Sequence, residues 1–299
     1  MRASSVFSFP LTRRAMLRHT AEAAAFTLGC SAFAPLLAAP ASRWFKIGAC
    51  DWALGKRGDP AALDIAKQIG LDGVQIDFGT VGNNMRLRTP KHQQAYREAM
   101  RRTGLVVSSL ALCEMNEVPL KSDPRAAVWL DQSIDVCHAM GLPLVMPALF
   151  SRGDLNMSQT VEIDHLVKVL RDVASKAEKL GIVIGLENYL SAGDNRKIID
   201  RVGSPTVKVY YDVGNSTDKG RDVAQEIRSL GKLICEFHAK DGQHMLGKGR
   251  IDFQKVRRAM DDIEFSGWIQ LEAAQPHGLI PDYTDNAKYL RSIFPAKEL

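Results

Sequence analysis

Short, nearly continuous apolar runs recur along the chain, each ending in polar or small residues. They are Phe45–Cys50, Gly73–Phe78, Leu105–Leu112, Leu144–Leu149, Val183–Glu187, Val207–Asp212, Leu233–His238 and Trp268–Glu272. Runs of this kind suit strands buried on both faces of a parallel sheet. Between them apolar residues return at helical spacing. Leu63, Ala66 and Ile69 do so over Pro60–Ile69, with Gly70 as the stop. Asp123-Pro124 opens a stretch carrying Val128, Ile134 and Cys137, closed by Gly141 and Pro143. Ser158–Leu180 places Val161, Leu166, Val169, Leu170, Val173, Ala177 and Leu180 on one face, with Ser158 as N-cap and Gly181 as stop. Asp222–Leu230, Ile251–Met260 and Tyr283–Ile293 supply the later helices. The polar stretches Thr80–Pro90 and Met115–Ser122 are expected loops, long enough to help roof a pocket.

Strand–helix alternation implies right-handed crossovers and a parallel sheet. Eight such strands in about 250 residues predict an α/β fold of the closed (β/α)8 TIM-barrel type rather than an open doubly wound sheet. No Gly-x-Gly-x-x-Gly follows the first run, which argues against a dinucleotide fold. No linker or composition shift interrupts residues 42–299, so they are expected to form one barrel domain.

The first 41 residues read differently. Thr12-Arg13-Arg14-Ala15-Met16-Leu17-Arg18 is a twin-arginine stretch, an alanine-rich apolar run extends from Ala21 to Leu37, and Ala39-Pro40-Ala41 offers a cleavage site. That order is expected of an export signal read by the twin-arginine translocase, which would make the protein periplasmic or secreted. Glu22, Gly29 and Pro35 interrupt the run too often for a stable membrane span. Leu28-Gly29-Cys30 partly resembles a lipidation site, so a lipoprotein anchor at Cys30 is the alternative. The formal charge of +5 over 299 residues comes largely from this segment. Without residues 1–41 the balance falls from 39 basic and 34 acidic residues to 35 and 33, or +2. No basic stripe remains to argue for nucleic acid. Cys50, Cys113, Cys137 and Cys235 are scattered without a Cys-x-x-Cys pair and are read as core thiols.

The chemistry lies at the ends of the last four strands. These end Ile184-Gly185-Leu186-Glu187-Asn188, Tyr211-Asp212-Val213-Gly214-Asn215, Phe237-His238-Ala239-Lys240-Asp241 and Ile269-Gln270-Leu271-Glu272. The C-terminal strand ends of a barrel converge on one mouth. Glu187, Asp212, His238 and Glu272 are therefore expected to meet there, 25, 26 and 34 residues apart. Three carboxylates cannot crowd together ionised without a cation or shared protons. With one imidazole they form a donor set for a divalent metal ion, Mn²⁺ or Mg²⁺ favoured and Co²⁺ or Zn²⁺ compatible.

These residues sit in motifs that resemble the xylose-isomerase-like TIM barrels, a superfamily of sugar isomerases and epimerases that also includes endonuclease IV. The motifs are Gly-Leu-Glu-Asn at 185–188, Tyr-Asp-Val-Gly-Asn at 211–215, Phe-His-Ala-Lys-Asp-Gly at 237–242, Leu-Gly-Lys-Gly-Arg-Ile-Asp-Phe at 246–253 and Leu-Glu-Ala-Ala at 271–274. The resemblance extends from Ile47 to about Ile293. It implies that Glu187, Asp212, His238 and Glu272 bind the metal. It also implies that Glu187 and Glu272 are the acid/base pair, as in the ketose 3-epimerase and hydroxypyruvate-isomerase branches. The expected activity is a sugar isomerase or epimerase working through a metal-bound enediolate. A lyase or dehydratase on a keto sugar or keto-glycoside is the runner-up. An endonuclease IV-type nuclease and a non-catalytic sugar-binding barrel are the remaining alternatives.

The chain departs from its relatives in two places. Leu190 stands where xylose isomerase has a histidine of its second metal site. Asn215 stands where endonuclease IV has a zinc ligand and many 3-epimerases a substrate-binding histidine. Asn215, Lys240, Arg152, Glu114 and Trp52 are the candidate substrate-binding residues, Lys240 with the alternative of a structural pair with Asp241. Phe78 is a candidate apolar wall or barrel plug, and His244 and His277 are loop histidines expected to be solvated. A small-molecule carbohydrate is the expected ligand, and homo-oligomerisation is left open.

Overall fold

The structure, a computed structural model, describes residues 44–296. The twin-arginine stretch, the apolar run, the cleavage site and Cys30 lie outside the described residues. The described chain is a closed barrel of eight parallel strands in sequence order. The order of elements is β1 (Phe45–Cys50), α1 (Ala62–Ile69), β2 (Gly73–Asp77), α2 (Pro90–Thr103), β3 (Val106–Leu112), α3 (Pro124–Met140), β4 (Leu144–Pro147), α4 (Thr160–Leu180), β5 (Val183–Leu186), α5 (Ala192–Val202), β6 (Val207–Asp212), α6 (Val213–Asp218), α7 (Val223–Leu230), β7 (Ile234–Ala239), α8 (Phe253–Asp262), β8 (Gly267–Leu271) and α9 (Leu279–Ile293). The ring closes where Phe45 through Ala49 pair with Gly267 through Leu271. No helix among the described residues is long and apolar enough to cross a membrane.

The large core lies between the outer faces of the strands and the ring of helices. Val74 and Ile76 of β2 pack there with Ala62, Leu63, Ala66 and Ile69 of α1. Gly141 and Gly181 end α3 and α4 in the left-handed conformation, as expected of glycine C-caps. Helices α2 and α5 were not expected from the apolar pattern. Helix α2 buries little beyond Gln93, Tyr96 and Ala99, and starts from a Thr89 cap with Pro90 in its first turn. The stretch Thr80–Pro90, expected to be a loop, holds two 3₁₀ turns, Val81–Asn83 and Arg86–Arg88. Two apolar residues assigned to buried helix faces point to solvent: Val128 is 51% exposed and Val161 81% exposed. Ser158 does not cap α4. Its hydroxyl donates to Asn156, and the helix begins after Gln159 without a side-chain cap.

The barrel interior mixes buried polar side chains with a small apolar cluster of Ala111, Leu144, Met146, Ala148 and Tyr210. Ser109 Oγ, Tyr210 Oη and Gln270 Nε2 all donate to Glu236 Oε1, at 3.0, 3.0 and 2.7 Å. Burial pushes the Glu236 carboxyl upward against these three donors. Gly185 is needed at this level: a Cβ there would stand 2.7 Å from Cys235 Sγ and 3.3 Å from Tyr210 Cβ. The motif glycine thus makes room for the tyrosine beneath the site.

At the mouth, buried carboxylates tie down the connections. Asp51, directly after β1, accepts from Gly58 N–H at 2.8 Å and Asp77 N–H at 2.9 Å through Oδ2. This fixes the turn 51–58 to the end of β2. Burial, then the neighbouring Asp77, push the Asp51 carboxyl up to about 8.

The folded protein therefore keeps a proton on Asp51 that the unfolded chain sheds near pH 4. Stability falls as pH rises from about 4 to about 8 and this contribution levels off above that. Asp51→Asn preserves an acceptor for both N–H groups and removes the titration. Urea midpoints of the variant should gain on wild type between pH 5 and pH 8; parallel curves for the two proteins would reject this assignment.

Candidate metal centre

Each of the four strand-end residues is placed by the ladder itself. Glu187 follows β5, its N–H donating to Pro147 O and its carbonyl accepting from Leu149 N–H. Asp212 ends β6 and sits in register with His238 of β7. Glu272 follows β8, its N–H donating to Ala239 O at 3.1 Å. One ligand atom from each of the four residues lies within 4.8 Å of the others. Glu187, Asp212 and His238 are buried, and the Glu272 side chain is about a quarter exposed to the cavity above.

His238 Nδ1 faces the three carboxylates, 2.7 Å from Glu187 Oε1, 3.9 Å from Asp212 Oδ2 and 4.0 Å from Glu272 Oε2. Its other nitrogen, Nε2, lies 2.8 Å from Gln75 Oε1. A carbonyl oxygen can only accept, so Nε2 carries a hydrogen, and Nδ1 is the atom offered to a metal. Asp212 divides its carboxylate. Oδ1 accepts from Asn215 N–H at 2.9 Å and caps α6, while Oδ2 points to the cluster. A buried carboxylate oxygen aimed at the cluster, one imidazole nitrogen and two further carboxylates fit a divalent ion.

The cluster also holds a lysine. Lys240 Nζ lies 3.0 Å from both Asp212 Oδ2 and Glu272 Oε2. Burial opposes its charge, but the neighbouring carboxylates raise the ammonium well above its ordinary range. His238 is likewise disfavoured by burial yet lifted to about 9, first by Glu187. Burial pushes Glu187 up. Glu272 resists burial and is held low by Lys240, His238 and the Trp52 indole N–H, which donates at 2.9 Å.

A cavity of about 390 Å³ opens above the cluster, within the size range of small-ligand sites. Trp52, Glu114, Asn215 and Lys240 line it, as expected. The Asn215 amide Nδ2 has no hydrogen-bond partner among the described residues. Lys240 does not pair with Asp241. That aspartate instead accepts N–H bonds from Gly249, Arg250 and Ile251 and ties the Leu246–Phe253 motif to the end of β7. Arg152 is a correction: it sits in an exposed 3₁₀ turn after β4 and is not among the lining residues. Phe78 belongs to the core, His244 is exposed, and His277 pairs with Asp282 away from the cavity. Gly214 of the β6 motif permits the close approach of Lys240, whose Cγ would stand 2.3 Å from a Cβ at that position.

The sequence reading missed Gln75, Arg57 and the Phe150–Tyr189 ring pair, whose centroids are 4.7 Å apart. Phe150, Tyr189 and Arg57 all line the cavity. Only Gln75 left a signal: it is the polar residue between Val74 and Ile76, so its side chain points inward where theirs point outward.

Residues 63–293 match the family described as xylose isomerase-like TIM barrel. The chain is 29% identical over 201 residues to 2-epi-5-epi-valiolone 7-phosphate 2-epimerase of an Actinoplanes species, covering 66% of this chain and 73% of the relative. It is 22% identical over 228 residues to D-psicose 3-epimerase of Enterocloster bolteae, covering 70% and 75%. Among solved structures, D-psicose 3-epimerase of Clostridium cellulolyticum H10 with D-tagatose superposes with a TM-score of 0.71 at 16% identity, covering 83% of this chain and 99% of that one.

Gln75 orients the His238 imidazole that would face a bound metal, and losing such a partner costs about 10–100-fold in metal affinity. Gln75→Leu, close in volume, should weaken Mn²⁺ binding by that factor in an EPR titration while leaving the circular dichroism spectrum unchanged. Wild-type affinity in the variant would show that the amide has no part in the site.

Proposed function

The chain belongs to the xylose isomerase-like TIM barrel family, and from that premise we propose that it is a metal-dependent sugar epimerase or isomerase with Glu187 and Glu272 as its proton carriers. The observation that carries this reading is the pair of glutamates. They approach one cation-binding point from β5 and β8, and both line the same sugar-sized cavity. The two curated relatives described above are both named as epimerases.

Glu187, Asp212, Glu272 and Nδ1 of His238 would hold the ion, with Mn²⁺ or Mg²⁺ favoured by the oxygen-rich set. A bound divalent ion would polarise a sugar carbonyl and acidify the adjacent C–H. One glutamate carboxylate then removes that proton, and the carbonyl becomes an enediolate. The other glutamate, carrying a proton, returns it to the opposite face in epimerisation or to the neighbouring carbon in isomerisation. Run backwards, the two exchange roles. Trp52 and Lys240 hold Glu272 ionised and in one orientation. Asn215 offers its unpaired amide N–H to a substrate hydroxyl. Asn215 in place of a histidine, and cavity cations already paired with carboxylates, count against the nuclease alternative.

Incubation with Mn²⁺ and D-psicose, D-fructose or D-tagatose in D₂O should place deuterium at the carbon next to the carbonyl. Glu187→Gln and Glu272→Gln should each lower that rate by about 10²–10⁴-fold, with metal occupancy measured in parallel. Release of water or an aglycone from a keto-glycoside would support the lyase instead. Sugar binding without any exchange would support a binding barrel, and cleavage of abasic DNA a nuclease. The export reading remains a separate proposal. Arg13→Lys with Arg14→Lys should retain a full-length reporter fusion in the cytoplasm, and unimpaired export of that double variant would defeat it.

A further inference from the structure

The epimerase reading accounts for the half of the barrel mouth over β5 to β8. The half over β1 to β3 carries a second built group. Arg57, in the turn after β1, lines the cavity, and its Nε donates to Asp77 Oδ2 at 2.5 Å. Asp77 is itself buried at the end of β2 and also accepts Cys113 N–H. Asp51 fixes the turn that carries Arg57. On the far side of the guanidinium stands Glu114, which follows β3. Its Oε1 accepts Val81 N–H at 3.0 Å, and its Oε2 lies 3.7 Å from Arg57 Nη2. That gap is too long for a hydrogen bond between the two, yet one oxygen atom can touch both.

We propose that Arg57 and Glu114 form the subsite for the uncharged, hydroxyl-bearing end of the sugar, remote from the carbon that reacts at Glu187 and Glu272. The proposal rests on the epimerase reading for the position of the reacting carbon, and on Arg57 and Glu114 for the rest. A hydroxyl both accepts and donates. It takes a bond from an Arg57 N–H and gives one to the Glu114 carboxylate. A phosphate dianion or a carboxylate cannot donate, and would lie against Glu114 with no unpaired cation among the described residues of the cavity wall. Arg57 is already held by Asp77 and Glu114, and Lys240 by Asp212 and Glu272. Outside the wall, Lys219 sits 4.4 Å over the Tyr189 ring. The inferred substrate is thus a free sugar or neutral glycoside, in contrast to the 7-phosphate named for the Actinoplanes relative.

The test uses the full-length Mn²⁺-loaded protein and calorimetric binding of D-fructose, D-psicose and D-tagatose, with D-fructose 6-phosphate as the charged probe. Arg57→Lys keeps a positive charge on Asp77 but loses the planar fork of donors. Glu114→Gln, at the cavity edge, keeps an acceptor for Val81 N–H. Each should raise Kd and KM for the free ketoses about tenfold or more, with kcat moving less, and melting curves should show both variants folded. Unchanged Kd in both variants overturns the subsite while leaving the epimerase reading intact. Binding that depends on Arg57 without any turnover in wild type sinks the epimerase reading and retains the subsite. Failure of wild type to bind any of the three ketoses, or tighter binding of the 6-phosphate than of D-fructose, overturns the proposal.

Discussion

Glu187, Asp212 and Glu272 bring three carboxylates to one largely buried point, and like charges at such separation repel by a few kcal/mol per pair. Everything around them serves to make that arrangement tolerable. The His238 imidazole and the Lys240 ammonium face the cluster. Gln75 turns the imidazole so that Nδ1 faces the acids. One oxygen each of Asp212 and Glu272, both beside Lys240, and the Glu187 oxygen beside His238 converge on the space a divalent ion would fill. The same repulsion that is costly for folding is what gives such a site its affinity for a doubly charged ion.

The barrel supplies the rigidity this demands. All four side chains leave the sheet at or next to ladder positions, so their backbone is fixed by interstrand hydrogen bonds. Around the rim, single buried aspartates each restrain a segment: Asp51 the turn after β1, Asp241 the segment after β7, and Asp212 the start of α6. One carboxylate satisfying two or three backbone N–H groups, as Asp51 and Asp241 do, is a compact way to order a connection that has no strand to lean on. Placement of the cavity wall, including Arg57, follows from these ties.

The apolar runs made the strands legible because their helix-facing residues are apolar and the inward polar ones, such as Gln75, Glu236 and Gln270, interrupt each run only singly. Helices α2 and α5 escaped that reading for the converse reason: their sequences are mostly polar, and only a narrow stripe such as Tyr96 and Ala99 or Ile198 and Ile199 meets the barrel. The meeting of Glu187, Asp212, His238 and Glu272 was readable because strand ends in a closed barrel must converge, which turns separations along the chain into proximity. Gln75 and Arg57 were not singled out, since one is a lone polar residue inside a strand and the other sits in a turn whose path the pattern does not define. Arg152 failed for a related reason. Following a strand places a residue near the mouth, but the local turn decides which way it faces, and the 3₁₀ turn after β4 sends it to solvent.

The contact between Gly214 and Lys240 has an evolutionary corollary. The bare Cα of one motif and the aliphatic stem of the other occupy a single volume. The two positions are therefore sterically coupled, although 26 residues separate them in the chain. Descendants of this barrel that acquire a side chain at 214 must shorten or redirect the residue at 240. In doing so they surrender the ammonium that sits between Asp212 and Glu272. Covariation between these two columns in an alignment would thus mark the branch point at which the site's internal counter-charge was gained or lost.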